Sequence, residues 1–475
     1  MISRSRSLLI VLLVWAAIYL PALGSLAIKG EEGRRILPAI RMLETGDYIV
    51  PRVGSATYFR KPPLVNWLVA VSFKVFGVRN EWAARLPSAL SVLAVAIAFV
   101  TVARASLGPR GSTIAALIWL TNIGMIEKGR LIEIEGLYVS LSGLAIIFWL
   151  SFLIQRKSPW LIWIPASIFL GLGLLAKGPI HLLFFYPVVL AVVWHTKEWR
   201  LLIHPAHFVA LAIMVGIFAA WAIPFLHSTT THVAVLKWSS QFTGRVRGVD
   251  FKFFSWVQNI PRGLIYFLPW VLLVPFVRFS KFYDYAQRRL ARALAWGIAV
   301  PFLAVNLVPG AVPRYSMPVL VPASWLVAMS YAADALQWPE GMATRNNRAW
   351  AKVVALFVGL GLVIGAIGYP LTAVILRNRQ QVKKAAAEIN ALVPSNETLY
   401  AADPEYQPVF FYLKAPLEYV SDIQDLPPDA HYFLVQSDKE AEATTTVRWA
   451  PRRAHLLARV RDYRKRQLLL FGVGP

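Results

Sequence analysis

Two short, charged segments of the chain contain closely spaced carboxylates. In "KGEEGRR", Glu31 and Glu32 come just before a pair of arginines, and in "EKGRLIEIEG" the acidic residues Glu133 and Glu135 follow a mixed charged run. A carboxylate can align an attacking hydroxyl group or accept its proton. We therefore predict a group-transfer reaction with two sources of catalytic carboxylate, Glu31/Glu32 and Glu133/Glu135.

The basic residues in the same set of loops are of the types that bind phosphate. Arginine offers a planar fork of donors and lysine a compact point charge. Lys177 lies between two apolar stretches in "LLAKGPIHLL", where an ammonium group needs an anionic partner. Each cation taken alone is also what snorkelling at a membrane surface would produce. The candidate phosphate-binding residues are Arg34, Lys61, Lys177, Arg245 or Arg247, and Arg314.

The segments that must position these charges are mostly apolar. Of the 475 residues, 57% are hydrophobic and 16% are charged, whereas a soluble domain carries roughly 25% charged residues. Apolar runs recur at the length that crosses a bilayer, and in lipid they must be helical because the backbone has no water to bond. The sequence predicts an α-helical polytopic membrane protein with about eleven or more transmembrane helices. After a first helix in "LLIVLLVWAAIYLPALGSLAI", the predicted spans are residues 85–103, 112–127, 137–154, 160–176, 179–195, 205–226, 263–278, 291–309, 316–335 and 349–375.

Basic residues outnumber acidic residues by 49 to 25, which gives a formal net charge of +24. Basic residues flank membrane helices and meet anionic lipids, so the excess predicts contact with membrane lipids and no nucleic-acid partner. The even-numbered loops, such as "QRKSP" and "RFSKFYDYAQRRLAR", are all basic, which predicts a cytoplasmic N-terminus and a C-terminal segment on the opposite side. Because cysteine is absent, a disulfide framework and a thiolate metal site are excluded.

Composition also predicts the domain organisation. Residues 1–375 would form the transmembrane domain, in which residues 29–83 are a first extracytoplasmic loop. The short apolar run "PPLVNWLVAVSFKVFG" in that loop predicts an interfacial helix. From residue 376 to residue 475, a polar helical opening precedes short Tyr-, Phe- and Val-rich stretches. This pattern predicts a small, soluble, extracytoplasmic α/β domain.

Six segments, taken in order, resemble one known group of enzymes. After the acidic pair come "RMLETGDYIVP", "YFRKPPLVNWL" and "FGVRNEWAARLPSAL", followed later by "GRLIEIEGLYV", "GLGLLAKGPIHLLFFYP" and "VPRYSMPVLVPASWLVA". Together they resemble bacterial GT-C type glycosyltransferases that use lipid-linked sugars, in the aminoarabinose (ArnT-like) and protein O-mannosyltransferase-like families. The similarity covers residues 8–335.

The resemblance implies roles for individual residues. Glu31 stands where the family usually has a catalytic Asp, and Glu32 matches the second acid of the pair. Glu135 stands at the usual Asp of the second acidic loop, and Lys61 matches the lysine associated with the lipid phosphate. Arg60 stands where aminoarabinose enzymes tend to have an acid, which implies a more basic phosphate pocket. The late Arg-Tyr-x-x-Pro match adds Tyr315, so the full phosphate-binding set becomes Lys61, Arg34, Arg60, Lys177, Arg245, Arg314 and Tyr315.

The resemblance further implies an inverting transfer of sugar from a polyprenyl-phosphate donor. The acceptor would be a lipid similar to lipid A, a glycan or a protein, and the location would be the extracytoplasmic face of a bacterial inner membrane. No required cofactor is evident, although oxygen ligands at the acidic clusters would suit Mg²⁺ or Mn²⁺. Two other classes stay open: a transporter or flippase of an anionic lipid-linked substrate, and a non-catalytic scaffold that binds lipid phosphate.

Overall fold

The computed structural model is mostly helical. It describes residues 2–53, 56–229, 236, 239–240, 243, 251–338, 347–377, 379–402, 407–445, 452–461 and 467–474. The helices, numbered in chain order, are α1 (Arg4–Tyr19), α2 (Gly33–Thr45), α3 (Leu64–Phe76), α4 (Glu81–Thr101), α5 (Arg104–Thr121), α6 (Ile123–Lys128), α7 (Ile134–Ile154), α8 (Pro159–Lys177), α9 (Leu182–Thr196), α10 (Arg200–Ile203), α11 (Pro205–His227), α12 (Phe253–Val257), α13 (Asn259–Ile265), α14 (Tyr285–Leu307), α15 (Leu320–Ala332), α16 (Asn347–Leu362), α17 (Tyr369–Arg377), α18 (Val382–Leu392) and α19 (Glu440–Thr445).

Among the described residues, seven helices are long and apolar enough to cross a membrane. An eighth is added if the bent pair Phe253–Ile265 and Trp270–Phe276 forms one span. The prediction of a multi-pass helical membrane protein is therefore confirmed, whereas the count of about eleven crossings stays a prediction. The seven helices are Glu81–Thr101, Ile134–Ile154, Pro159–Lys177, Pro179–Thr196, Pro205–His227, Tyr285–Leu307 and Ala349–Arg377.

Three of the predicted spans correspond to elements that are shorter or bent. Helix α1 has 16 residues, and the predicted span 112–127 is broken at Asn122, whose extended backbone separates α5 from α6. The predicted span 316–335 begins in a 3₁₀ helix, Pro313–Val319, and continues as the 13-residue helix α15. Apolar length alone does not reveal such changes of helix geometry, because 3₁₀ and α-helical turns can carry the same residue types.

Contacts group the chain into two compact units. The first, here called the helical unit, comprises Met1–Pro21, Arg60–Leu64 and Leu86–Pro370. The second, here called the loop unit, comprises Ala22–Phe59, Val65–Arg85 and Leu371–Pro475. Most of the first predicted loop, apart from Arg60–Leu64, therefore belongs to the same unit as the C-terminal residues.

The loop unit contains a mixed five-stranded sheet and a small hairpin. The hairpin pairs β1 (Arg52–Val53) with β2 (Ala56–Thr57), and the large sheet has the strand order β4-β3-β5-β7-β6. Strand β3 runs parallel to β4 and β5, whereas β7 runs antiparallel to both β5 and β6. Aromatic and branched residues favour these strands, and Phe433 and Phe471 stack with ring centroids 5.2 Å apart in the core. The large sheet is built from β3 (Leu399–Ala402), β4 (Leu417–Val420), β5 (Tyr432–Gln436), β6 (Arg453–Arg461) and β7 (Gln467–Gly474).

Within the helical unit, one glycine allows the start of α7 to approach α6. A Cβ atom at Gly136 would lie 2.8 Å from the carbonyl oxygen of Lys128, which is closer than real Cβ contacts. Only glycine permits this approach without a shift of the backbone. The close packing brings the acidic first turn of α7 beside the end of α6.

Candidate active site

The helical unit joins one buried carboxylate to two cations. Glu135 lies in the first turn of α7 and Lys177 is the last residue of α8. The Nζ atom of Lys177 lies 3.1 Å from Oε1 of Glu135, and Nε of Arg314 lies 3.2 Å from the same oxygen. The side chains of Glu135 and Lys177 are each 9% exposed, whereas that of Arg314 is 38% exposed. One carboxylate therefore holds two cations together, and one of the cations remains accessible.

Two tyrosine rings fix the ammonium group of Lys177. Its Nζ atom lies 4.8 Å from the ring centroid of Tyr138 and 4.8 Å from that of Tyr315. Tyr138 follows Glu135 by three residues on α7, so both side chains emerge on the same face of the helix. A cation between two aromatic faces is stabilised by their negative electrostatic potential. We call Glu135, Tyr138, Lys177, Arg314 and Tyr315 the Glu135 cluster.

Breaks in helix geometry bring these side chains to one place. Helix α8 ends at Gly178, whose φ of 89° is left-handed, and Pro179 begins a 3₁₀ turn. His181 is buried in that turn, with its ring nitrogens 3.0 Å from the carbonyl oxygens of Gly178 and Leu170. Arg314 and Tyr315 lie in the 3₁₀ helix Pro313–Val319. Because of these turns, Lys177 and Arg314 lie in the cluster. A continuous helix would carry the chain past it.

A second ion-pair group lies at the end of α6. The Nζ atom of Lys128 is 2.9 Å from a carboxylate oxygen of Glu127 and 2.9 Å from one of Glu133. Burial alone would lower the pKa of Lys128, but the two neighbouring carboxylates outweigh it and raise that pKa above its usual value. Lys128 therefore stays positively charged between these two carboxylates.

The donor set for a metal ion is incomplete in the described part of the chain. There, no three His, Cys, Asp or Glu side chains come together as ligands. Glu133, one of the acidic residues of the second segment, instead contacts the ammonium group of Lys128. The carboxylates of the two acidic segments are each paired with a Lys or Arg side chain: Glu31, Glu32, Glu127, Glu133 and Glu135.

In the loop unit, the acidic pair has two different environments. Nη1 of Arg34 donates to both carboxylate oxygens of Glu31, at 2.7 and 3.0 Å, and the Glu31 side chain is 40% exposed. Glu32 is 1% exposed, and Arg85 donates to both of its carboxylate oxygens at 2.8 Å. Glu31 is therefore available to a substrate, whereas both oxygens of Glu32 are engaged inside the protein.

Arg85 is a buried partner of the acidic pair that the motifs do not predict. Its side chain is fully buried and also donates to the backbone carbonyl oxygens of Leu23, Leu26 and Ala27. It therefore holds the backbone that leads into the acidic pair. A signal was present in the sequence, because an arginine in the apolar helix start "EWAARLPSAL" is costly unless it has partners.

Four further residues belong to the predicted phosphate-binding set. Lys61 is half-buried just before two prolines, and Arg60 beside it is exposed. Tyr315 contacts Lys177, as described above. Arg245 lies outside the described residues. Whether these side chains bind a lipid phosphate stays a prediction.

Comparisons with known proteins agree with the resemblance seen in the motifs. Residues 60–223 match the family model described as dolichyl-phosphate-mannose-protein mannosyltransferase. An undecaprenyl phosphate-alpha-4-amino-4-deoxy-L-arabinose arabinosyl transferase of Pseudomonas fluorescens strain Pf0-1 is 27% identical over 78% of this chain and 67% of its own length. A relative of the same name from Proteus mirabilis is 25% identical over 77% of this chain and 65% of its own length.

A solved structure matches almost the whole chain. The crystal structure of ArnT from Cupriavidus metallidurans bound to undecaprenyl phosphate superposes with a TM-score of 0.72, covering 98% of this chain and 97% of that one at 19% identity. The chain shares the fold of ArnT. Its sequence is similar to aminoarabinose transferases, and the alignments span 58–67% of the length of three curated relatives.

Proposed function

We propose that this protein is an inverting glycosyltransferase that moves a sugar from a polyprenyl-phosphate donor to an acceptor. The observation that carries the proposal is the Glu135 cluster, where two cations share one buried carboxylate and one of them, Arg314, is partly exposed. An apolar surrounding strengthens the electrostatic interactions of such charges, because water does not screen them. A phosphate monoester leaving group needs this type of positive, preorganised surface.

In the proposed reaction, the bond between the anomeric carbon and the phosphate oxygen breaks. Its electron pair remains on the polyprenyl phosphate, whose additional negative charge is stabilised by Arg314 and Lys177. Glu135 keeps the two cations together before the donor arrives, so little reorganisation is needed during the reaction. The other residues of the predicted phosphate-binding set would add positive charge for binding the lipid phosphate. They are Lys61, Arg34, Arg60 and Arg245.

Glu31 is the proposed base. An acceptor hydroxyl attacks the anomeric carbon from the face opposite the phosphate, and its proton passes to the partly exposed carboxylate of Glu31. Glu32 is assigned as a positioning residue, since Arg85 occupies both of its oxygens. If the acceptor were itself a phosphate, its oxygen would already be a nucleophile and the reaction would depend less on Glu31.

The location and partners of the reaction complete the proposal. The donor is a polyprenyl-phosphate sugar, as the names of the relatives suggest for their own substrates. The acceptor is a lipid similar to lipid A, with a glycan or a protein as the other classes. The protein would cross the bacterial inner membrane about eleven times, with residues 1–375 as its membrane domain and residues 376–475 on the extracytoplasmic side.

The deciding experiment measures release of polyprenyl phosphate by the purified full-length protein. A panel of synthetic polyprenyl-phosphate sugars is supplied with a lipid A-type acceptor or an acceptor peptide. We expect release by the wild type and a decrease of roughly 10²–10⁴-fold in Glu31→Gln. Glu44→Gln is a matched control, because Glu44 is also half-exposed and paired with arginines in the loop unit.

The possible results distinguish the three classes of function: a transferase, a transporter and a non-catalytic scaffold. Release by wild type and Glu44→Gln, but not by Glu31→Gln, supports a transferase with Glu31 as its base. Equal release by all three proteins contradicts that role of Glu31. Movement of intact donor across proteoliposomes without cleavage would identify a transporter, and tight donor binding without cleavage or movement would identify a scaffold.

A further inference from the structure

A cavity lies in the helical unit, far from the Glu135 cluster. It has a volume of about 710 Å³ and is lined in part by residues at the end of α7, including Leu153, Ile154 and Arg156. Glu135 lies at the opposite end of the same 21-residue helix, about 30 Å away at 1.5 Å per residue. The proposed transfer reaction makes no use of this cavity.

The cavity combines both signs of charge with an apolar wall. Three cations line it, Arg156, Lys157 and Arg289, together with two carboxylates, Glu198 and Asp284. None of these five side chains forms an ion pair with another residue in the described part of the chain. Asp284 does accept a hydrogen bond from the backbone N–H of Ala286, where it caps α14. Leu107, Ile162, Val192 and Met329 contribute apolar surface to the same lining.

Exposed aromatic residues surround this end of the helices. Trp160, Trp194 and Trp199 are 47%, 60% and 42% exposed, and they stand at the start of α8, near the end of α9 and just before α10. Tyr285, which lines the cavity, is 67% exposed and lies under the guanidinium of Arg289 at 5.6 Å. Exposed Trp and Tyr residues in a membrane protein mark the level of the lipid headgroups. The cavity therefore opens where headgroups are concentrated.

We propose that this cavity binds a zwitterionic glycerophospholipid whose headgroup carries a primary ammonium, as in phosphatidylethanolamine. The lipid phosphate contacts Arg156, Lys157 and Arg289, because guanidinium and ammonium groups are the side chains suited to phosphate oxygens. The lipid ammonium donates to the carboxylate of Glu198, with Asp284 as a second negative charge. The start of an acyl chain packs on the apolar wall. A purely anionic headgroup would leave the carboxylates of Glu198 and Asp284 without a cation from the lipid and would place like charge beside them.

The experiment measures lipid retention by the full-length protein with native mass spectrometry after controlled delipidation. Defined lipids are added back singly: phosphatidylethanolamine, phosphatidylcholine, phosphatidylglycerol, and water-soluble glycerophosphoethanolamine, which has the headgroup without acyl chains. We expect phosphatidylethanolamine to bind best. The triple variant Arg156→Gln/Lys157→Gln/Arg289→Gln is expected to bind it at least about tenfold more weakly, since charge-assisted hydrogen bonds are lost.

Two further variants make the test specific. Glu198→Gln should reduce the preference for phosphatidylethanolamine over phosphatidylcholine, whose quaternary ammonium cannot donate a hydrogen bond. Arg200→Gln is the matched control: it removes an exposed cation from the short helix α10, which follows Glu198, and Arg200 does not line the cavity. Binding by Arg200→Gln should equal that of the wild type.

Several outcomes would overturn the proposal. Equal or stronger binding of phosphatidylglycerol would indicate an anionic ligand, and equal binding of glycerophosphoethanolamine would indicate a soluble phosphate ester rather than a lipid. Retention that is unchanged in the triple variant would place the lipid elsewhere, and no retained lipid at all would remove the site. These results do not depend on sugar transfer, so they are independent of the proposed function.

Discussion

At the scale of single residues, Lys177 is a cation whose position is constrained by its surroundings. It has one carboxylate and two aromatic rings as neighbours within the helical unit. A charge held in this way needs little rearrangement when negative charge develops on a leaving phosphate. Its role in catalysis is therefore electrostatic, and its removal should affect the reaction more than the fold, because Arg314 still pairs with Glu135.

We expect Lys177→Gln to lower kcat/KM for donor cleavage roughly 10²-fold, the typical effect of losing one preorganised donor. Lys177→Arg should recover only part of the activity, because a planar guanidinium does not replace a compact ammonium between two rings. Steady-state kinetics of polyprenyl phosphate release, with thermal unfolding of each variant as control, make the comparison. Wild-type kinetics in Lys177→Gln would show that the ammonium is not part of the reaction.

At the scale of secondary-structure elements, one buried ion pair ties the first loop to α4. Arg85 on α4 holds Glu32 and three backbone carbonyl groups of residues 23–27. Breaking a buried pair by removing one partner leaves an uncompensated charge and costs more than the pair itself contributes. The conformation of the backbone next to Glu31 thus depends on a residue of a different element.

We expect Arg85→Met to destabilise the protein by about 3–5 kcal/mol, because it removes the cation paired with the buried carboxylate of Glu32. Glu31→Gln should change stability by no more than about 1 kcal/mol, since Glu31 and Arg34 form a partly exposed pair. Thermal unfolding of the purified variants tests both values. A double-mutant cycle compares Glu32→Gln/Arg85→Met with the single variants Glu32→Gln and Arg85→Met. If Arg85→Met lowered the free energy of unfolding no more than Glu31→Gln does, the Glu32–Arg85 pair would not hold the first loop in position.

The same elements show what a sequence can and cannot predict about this fold. Long apolar runs such as Ile134–Ile154 predict helices well, because hydropathy and length decide whether a segment can span lipid. The cost of a buried charge likewise predicts that Lys177 needs an anion. That the anion is Glu135, 42 residues earlier, depends on how α7 and α8 pack. The role of Arg85 was missed for the same reason, since its partners lie far away along the chain.

At the scale of the whole molecule, the loop unit combines two segments that the sequence treats as separate domains. Tyr412 of the C-terminal part donates to Oε1 of Glu81 at 2.9 Å, and its hydroxyl oxygen accepts from the backbone N–H of Ile28 at 2.7 Å. Burial, with a further contribution from the carboxylate of Glu81, raises the pKa of Tyr412 well above its usual value. The hydroxyl therefore stays protonated and keeps both hydrogen bonds at any physiological pH.

Because of these bonds, we expect Tyr412→Phe to loosen the segment that carries Glu31. Losing one buried hydroxyl should cost about 1–3 kcal/mol, since the N–H of Ile28 is left without its acceptor while Glu81 retains Lys383. Limited proteolysis should then cut residues 22–59 faster, and sugar transfer should fall in parallel.

Tyr432→Phe is the matched control, because Tyr432 lies in β5 of the same unit and its hydroxyl makes no hydrogen bond to another described residue. If Tyr412→Phe changed only the choice of acceptor and left cleavage of residues 22–59 unaltered, the C-terminal residues would act on specificity rather than as support for the first loop.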